Sequence, residues 1–505
     1  MKKVWKAGIA GLAALSIGAA GFIGTTAAFA EEATTYTITV NNAVAGHTYE
    51  AYQVFSGTLS SDGKLGDIDW GSSISDEGKT ALGSAKTKAE ALSGKDYNSA
   101  EAKSFAKEVS QYLTTSAGTS TYVETPTKHY VINNLVAGYY LVKDKTGSLT
   151  DKDDQATSYL MAVVKNTDVT PKKSQPTVDK KVKDEIGDAE EGHDNGWGNS
   201  ADHAINETFQ FKLTASLPAD SERAEYSTYA VTFHDTMSNG VTFEKINSVT
   251  VNGTPLTSTQ YTPTTPAANA QGGALTISIA NLKDILTDIT PAISIVVEYD
   301  AHLNEKAVIS SAGDSTIENK NGVYLEYSND PYATGTGKTQ EKEVFVATFK
   351  MDNTKVQDTE DGDVLAGAEF NLKDADGNVI TFKTDSADDY YYPASGAGAS
   401  ATLTSAADGT FNIKGLDAGT YTLVETKTPA GFNTMEDKAL QIGATHKDDT
   451  VVTITGDTSN KIVNVSGSNL PGTGGMGTTM LYVAGGAIVL IAGIGMAVAL
   501  RRRQA

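Results

Sequence analysis

Apolar and polar positions alternate with a period of two in a series of short stretches within residues 33–467, which predicts a chain built of short strands. Residues 35–40 and 49–55 are the first candidates, and 130–132, 138–142 and 159–164 follow. The period changes once. Residues 76–116 are rich in Ala, Lys and Glu, and Ala102, Phe105, Val109 and Tyr112 recur at helical spacing behind a capping Asn98 or Ser99. This predicts a helical insertion whose apolar stripe packs onto a β domain. Pro171 and Pro176 then limit regular pairing, so residues 168–177 read as an extended connector.

Beyond the connector, strands are predicted at 177–182, 209–214, 229–234, 275–279, 293–299 and 323–327. Short strands between turns rich in Gly, Asn, Asp and Pro predict a sandwich of immunoglobulin-like architecture. A shorter β domain follows over 343–467. Strands at 370–372 and 379–382 flank Asp376 and Gly377, a strong hairpin signal. Strands at 410–413, 420–425, 451–454 and 462–465 complete it.

The two ends of the chain are of another kind. Lys2, Lys3 and Lys6 precede an apolar stretch over 7–23, and Ala28 and Ala30 stand either side of Phe29, as a signal peptidase requires. Residues 1–30 are therefore expected to be removed, leaving a mature chain that begins near Glu31. Residues 481–500 carry no charge and are long enough to cross a bilayer as a helix. Arg501, Arg502 and Arg503 would hold the far end in the cytoplasm. Just outside this span lie Leu470, Pro471, Gly472, Thr473 and Gly474. The order of pentapeptide, span and basic tail resembles the sorting signal of Gram-positive surface proteins. The resemblance implies that a sortase cuts between Thr473 and Gly474 and transfers the Thr473 carbonyl to an amine.

Charge narrows the partners. The chain of 505 residues carries a net charge of −22, and six of its basic residues lie in the two ends. An acidic exported part argues against nucleic acid, because phosphate contacts need a basic surface. There is no cysteine. An exported protein of this size could use disulfides, so its domains hold either by packing or by another covalent bond. The seven histidines are scattered, and no HExxH, GxSxG or phosphate loop is present. Asp374, Asp376 and Asn378 mimic the start of a calcium loop without its spacing or closing Glu, so a hairpin turn is expected there. No metal site and no cofactor are expected.

Strand parity places several polar side chains on apolar faces. Lys180 shares a face with Val178 and Val182, Asp235 with Val231 and Phe233, and Asn321 with Val323 and Leu325. In the last domain Lys350 follows the face of Val344 and Val346, Glu425 that of Tyr421 and Leu423, and Asn464 that of Ile462. A buried charge is costly unless paired, so the same triplet in the same order in two adjacent domains points to a shared chemical purpose. Burial favours the neutral amine and the protonated acid. A neutral amine is a nucleophile, the Asn amide carbon is an electrophile, and a neighbouring carboxyl can move the proton. Folding holds the three together. The expected product is a Lys–Asn isopeptide bond, with ammonia released. Lys181 could replace Lys180, and Asn319 could replace Asn321.

Residues 361–372 resemble the opening of collagen-adhesin B-type pilin domains. The stretch from Tyr421 through Glu425 and Pro429 to Phe432 resembles the pilin E-box, with Phe432 where Tyr is commoner. The resemblance implies a proton-shuttle role for Glu425 and makes Lys350 and Asn464 its bond partners. Residues 176–182, 234–236 and 321–331 resemble the lysine, acid and asparagine strands of the family's middle domain, which gives Asp235 the shuttle role there. Val169, Thr170, Pro171 and Lys172 resemble the pilin motif, with Thr where Tyr is usual, so Lys172 is the implied acceptor of Thr473 and Lys173 its competitor. The chain thus resembles the major, or backbone, subunits of sortase-assembled Gram-positive pili.

The expectation is an all-β chain of tandem immunoglobulin-like, collagen-adhesin A/B-type sandwiches, with the helical insertion and a C-terminal transmembrane helix. Its parts are a signal peptide (1–30), an N-terminal domain (31–172), a middle domain (173–342), a C-terminal B-type domain (343–467) and the sorting region (468–505). The resemblance implies a non-enzymatic structural subunit of a cell-surface fibre, transiently membrane-anchored and then wall-linked. Implied partners are pilus-specific and housekeeping sortases, identical subunits and peptidoglycan, with an accessory tip pilin and a host or glycan ligand as further candidates. The alternative is a wall-anchored adhesin or accessory pilin displayed as a monomer.

Overall fold

The computed structural model describes residues 34–41, 46–96, 99–150, 152, 158–170, 175–184, 196–332, 334–385 and 387–467. The expected signal peptide, Lys172, Lys173, residues 470–474 and the expected transmembrane helix lie outside the described residues. Among the described residues no helix is long and apolar enough to cross a membrane. The chain divides into two compact units. One comprises residues 1–350, 414–418 and 442–455, and the other the remainder.

In the first unit the N-terminal portion is two sheets with helices on one face. One sheet has the order Thr121–Val123, His129–Val136, Thr35–Asn41, Thr167–Val169. The other runs Leu65–Trp70, Tyr49–Leu59, Gly138–Asp144, Ser158–Val163, with Gly118–Thr119 added to Tyr49–Leu59. Ile38, Val40 and Ile132 pack against Tyr49, Ala51, Tyr140 and Val142. The second sheet's other face, from Phe55 and Leu141, is covered by the helices Asp76–Leu82, Ala85–Leu92 and Ala100–Ser110. Ser99 caps the last of these, accepting from the Ala102 N–H at 3.2 Å and satisfying a donor the helix cannot. The predicted stripe is a packing surface: Ala102, Phe105 and Val109 are buried, and Phe105 stacks on Phe55 with centroids 5.5 Å apart. Burying a phenylalanine of this kind stabilises by about 1.5–3 kcal/mol.

The same unit contains a large sandwich. Its six-stranded sheet has the order Trp197–Gly198, Thr177–Lys183, Thr208–Leu217, Ile293–Leu303, Val241–Val251, Thr254–Pro255. The facing sheet runs Ser200–Asp202, Lys342–Ala347, Lys320–Ser328, Val231–Met237, Gly273–Ile279, Thr262–Thr264, with Thr336–Lys338 added to Lys320–Ser328. Alternate residues of each strand fill the space between: Phe211, Leu213, Val297 and Tyr299 from one side, Phe233, Ile277, Val323 and Leu325 from the other.

The second unit is a smaller β fold. Glu369–Lys373 pairs antiparallel with Gly419–Lys427. The first strand, Phe349–Gln357, pairs parallel with the last, Ser459–Asn464. Gly377 takes φ 86° in the predicted hairpin, where a Cβ would be strained. Asn378 donates its backbone N–H and its side-chain amide to the Asp374 carboxylate at 2.8 and 3.0 Å, so the calcium-like spacing is a turn held by its own side chains. The strand expected at 379–382 is shorter: Val379 makes an isolated bridge and Phe382–Thr384 pairs with Tyr391–Pro393.

Candidate functional site

Among the described residues four lysines are buried, and two of them, one in each unit, are almost fully enclosed, deeper than Lys143 and Lys414 at 7 and 8 % exposed. The first is Lys180, on Thr177–Lys183, 1 % exposed. Val178 and Val182 point the same way, so alternation puts the amine inside the sandwich. The facing sheet brings two polar groups to it. Asp235 lies opposite Val323 and Asn321 opposite Met237 on adjacent antiparallel strands, and both side chains point inward. Lys180 Nζ donates to Asp235 Oδ2. It also donates to Tyr299 Oη at 3.3 Å and lies over the rings of Phe211 and Tyr299. Tyr299 Oη donates to Asp235 Oδ1 at 3.0 Å and accepts from Asn321 Nδ2 at 2.6 Å.

Burial sets the electrostatics here. It pulls the Lys180 amine down to about 8, against the attraction of Asp235. It pushes the Asp235 carboxyl up, against the attraction of Lys180. Each shift moves the pair toward neutral amine and neutral acid. The Asn321 carbonyl oxygen is buried without a hydrogen-bond partner, which leaves it open to a proton donor when charge develops on it.

The alternatives at this site separate cleanly. Lys181 faces the other way, half-buried, and donates to Asn199 Oδ1 at 2.7 Å. Asn319 is buried, but its amide is committed to backbone: Nδ2 donates to the Val308 and Val346 carbonyls, and Oδ1 accepts from the Val308 N–H. Asn321 is therefore the amide next to the amine. Tyr299 is the member that parity reading missed. It occupies an inward position of Ile293–Leu303 in line with Ile295 and Val297, where a tyrosine reads as ordinary core.

The second buried lysine corrects the sequence reading. Lys350 is half-buried, not buried. The alternation that placed it inward was carried through Thr348, but the strand is interrupted there, between Lys342–Ala347 and Phe349–Gln357. The face resets: Phe349, Met351, Asn353 and Lys355 are buried, and Lys350, Asp352 and Thr354 are less so. Lys355 is 0 % exposed, its Nζ has no hydrogen-bond partner, and it lies 5.7 Å from the centre of the Phe370 ring. Burial pulls its amine down to about 8, opposed by the nearby Glu425 and assisted by Lys438. Lys355 lies opposite Ile462, and Asn464 sits two residues further along the same partner strand.

Glu425 and Asn464 are placed as expected. Both are buried, and Asn464 Nδ2 donates to both Glu425 oxygens at 2.9 and 3.0 Å and to the Asn433 carbonyl at 2.8 Å. Thr428 Oγ1 and the Met435 N–H fix the Glu425 carboxyl at 3.1 and 2.8 Å. The Asn464 carbonyl oxygen, like that of Asn321, has no partner. Both sites thus present an amine depressed by burial, a carboxyl bonded through its neighbours, and an amide with a bare carbonyl oxygen. Such a constellation can perform one acyl transfer within the fold.

Among the described residues one further group has metal-ligand chemistry. Asp184, Asp202 and His446 bring candidate ligand atoms within 4.8 Å of one another. Asp202 is already bound from several sides, by His446 Nε2 at 3.1 Å and the Ala418 N–H at 3.1 Å, and its own N–H donates to Asp184. The sequence reading did not foresee this cluster, because its members are far apart along the chain.

Comparison with known proteins agrees with this architecture. A family model described as Gram-positive pilin backbone subunit 2, Cna-B-like domain, matches residues 205–331. A SpaA prealbumin-like fold domain model matches residues 350–458. No curated protein sequence matches the chain. Among solved structures, a backbone pilin of Streptococcus pyogenes with a modular three-domain structure shares the fold, with TM-score 0.53 and 16% identity over 87% of this chain and 100% of that one. The major pilin SpaD of Corynebacterium diphtheriae gives TM-score 0.49 and 17% identity over 86% and 98% of the two chains. The major pilin BcpA of Bacillus cereus gives 0.41 and 16% over 86% and 100%.

Proposed function

We propose that this chain is a structural, backbone-type pilin of a Gram-positive surface, polymerised covalently and stapled internally by two isopeptide bonds. A pilus-specific sortase cuts between Thr473 and Gly474 and joins the Thr473 carbonyl to Lys172 of the next subunit, with Lys173 as the competing acceptor. Repetition gives a head-to-tail fibre of identical subunits. The C-terminal helix holds each subunit at the membrane until the transfer, and a housekeeping sortase links the base to peptidoglycan. In this reading the expected division at 172 and 342 lets the first part present the acceptor and the other two bear load.

The internal bonds join Lys180 to Asn321, with Asp235 as shuttle, and Lys355 to Asn464, with Glu425 as shuttle. Lys355 replaces Lys350 in this reading. In each, the neutral amine attacks the amide carbon and a new C–N bond forms. The carboxyl protonates the amide oxygen and takes back the proton the amine releases. The carboxyl then supplies a proton to the amide nitrogen, the old C–N bond breaks, ammonia leaves, and the oxygen's proton returns to the carboxyl. The observation that carries the proposal is the burial of Lys180 and Lys355, each against a carboxyl bonded into the same site as an asparagine. The first bond would tie the two sheets of the sandwich together, and the second would tie the parallel first and last strands. Tension on the chain ends would pass through these bonds without unzipping strands. That gives a cysteine-free protein a covalent staple.

Substitution of Lys172 by Ala tests the polymer. The ladder of high-mass species on a denaturing gel should vanish while the single subunit persists. A ladder that survives in both this variant and Lys173→Ala removes the connector as acceptor. The monomeric-adhesin reading predicts no ladder even for the natural chain.

A further inference from the structure

The two sites differ in how the acid reaches the leaving nitrogen. In the second unit Glu425 accepts directly from Asn464 Nδ2 through both oxygens. In the first, the acid is an aspartate, one methylene shorter, and the amide nitrogen donates to the Tyr299 hydroxyl instead. That hydroxyl donates to Asp235 Oδ1 and receives a hydrogen bond from the Lys180 amine. One phenol therefore touches the nucleophile, the acid and the leaving group, all in a space closed to water. Among the described residues no hydroxyl bonds to the amine of the second unit, and the ring there is that of Phe370.

We infer that Tyr299 is a catalytic residue of bond formation in the middle sandwich, relaying the proton from Asp235 to the departing Asn321 nitrogen. The inference rests on the Lys180–Asn321 bond proposed above. Lys180 begins as the neutral amine and Asp235 as the acid. The amine nitrogen forms its bond to Asn321 Cγ as Asp235 protonates Oδ1. The Lys180 nitrogen then returns one proton to Asp235. Tyr299 gives its phenolic proton to Nδ2 and takes the one on Asp235, so the leaving group departs as ammonia. Loss of the Oδ1 proton to Asp235 restores the amide carbonyl. Asp235 ends protonated and Tyr299 ends as the phenol, so both are unchanged and the only loss is one ammonia. Burial and the neighbouring Asp235 hold the phenol's pKa well above its usual value, which suits a group that must pass a proton on and never stay ionised. The Asn321 amide also lies beside Asp235, so direct transfer from the acid is the competing route.

The test is a time course of intact mass on the full secreted chain made by cell-free translation and quenched at intervals. Peptide mapping assigns each missing ammonia to its site. Natural chain, Tyr299→Phe and a chain with 3,5-difluorotyrosine at 299 are compared. We expect Tyr299→Phe to slow the Lys180–Asn321 bond more than tenfold and to leave the Lys355–Asn464 bond at its natural rate, while limited proteolysis of the variant shows the middle sandwich as resistant as in the natural chain. Fluorination lowers the phenol pKa with little change of shape. It should change the rate and pH profile of the first bond only, a response that packing alone does not give. Natural rates at both sites in both variants would overturn the relay in favour of direct transfer. A natural chain that never loses ammonia at Lys180 would instead overturn the bond itself.

Discussion

Replacing Lys355 by Met separates the account from its nearest competitor. The aliphatic stem against Phe370 is largely preserved, because Met is close in length and apolar, so little packing is lost. What disappears is the nucleophile. The bond would close a loop from position 355 to position 464, and the chain-entropy formula gives about 5 kcal/mol for a loop of this length. The second unit has roughly the size at which 1 kcal/mol moves the melting temperature by about 4 °C or more, so its transition should fall by about 20 °C. Intact mass provides the first assay: Lys355→Met should retain one ammonia more than the natural chain, after allowance for the substitution. Calorimetry provides the second, with the lower transition confined to this unit. Lys350→Met should change neither readout, since Lys350 is half-buried on the other face of its strand. If Lys355→Met still loses both ammonias, or Lys350→Met loses only one, the assignment of the second bond is wrong.

Further outcomes follow from the same geometry. Asp235→Ala should leave Lys180 and Asn321 unjoined, restore one ammonia to the mass, and weaken the sandwich by about 5 kcal/mol through the missing cross-link. Asn464→Ala keeps Lys355 and Glu425 but forbids the bond, and it should show a distinctive pH dependence. The Lys355 pKa is depressed to about 8 in the fold and returns to about 10.5 on unfolding. Between those values the unfolded chain binds more protons. Stability of that variant should therefore rise as pH climbs from about 8 to about 10.5 and lie lowest below 8. If the proposed bond forms in the natural chain, the same nitrogen is an amide there, and urea unfolding of this unit should show no such rise from that site.

Much of the first site was legible because the inward parity of its three strands is kept in the fold, the buried Gly322 carrying no side chain to disturb it. Val178–Lys180–Val182, Val231–Phe233–Asp235 and Asn321–Val323–Leu325 are inward in the fold, as parity requires. The second site was half legible for the opposite reason. Thr348 interrupts the strand, parity resets at Phe349, and the inward run then carries Asn353 and Lys355 among apolar residues. Counting backward from Val356 would not have rescued it, because Lys355 and Val356 are both buried. Tyr299 was invisible to pattern, since a tyrosine between Val297 and Ala301 fits a core without any chemistry. Only the register that sets it opposite Phe211 on the neighbouring strand, and the facing sheet that supplies Asp235 and Asn321, reveal its hydroxyl as a hub. The Asp184–Asp202–His446 group is likewise a product of tertiary structure alone.

The mass of the purified protein spanning residues 31–467 tests the central claim most directly, because each lysine–asparagine bond would remove one ammonia and nothing else. The account predicts a deficit of two ammonias, with fragments linking Lys180 to Asn321 and Lys355 to Asn464. A folded chain with the full mass of its sequence would contradict it.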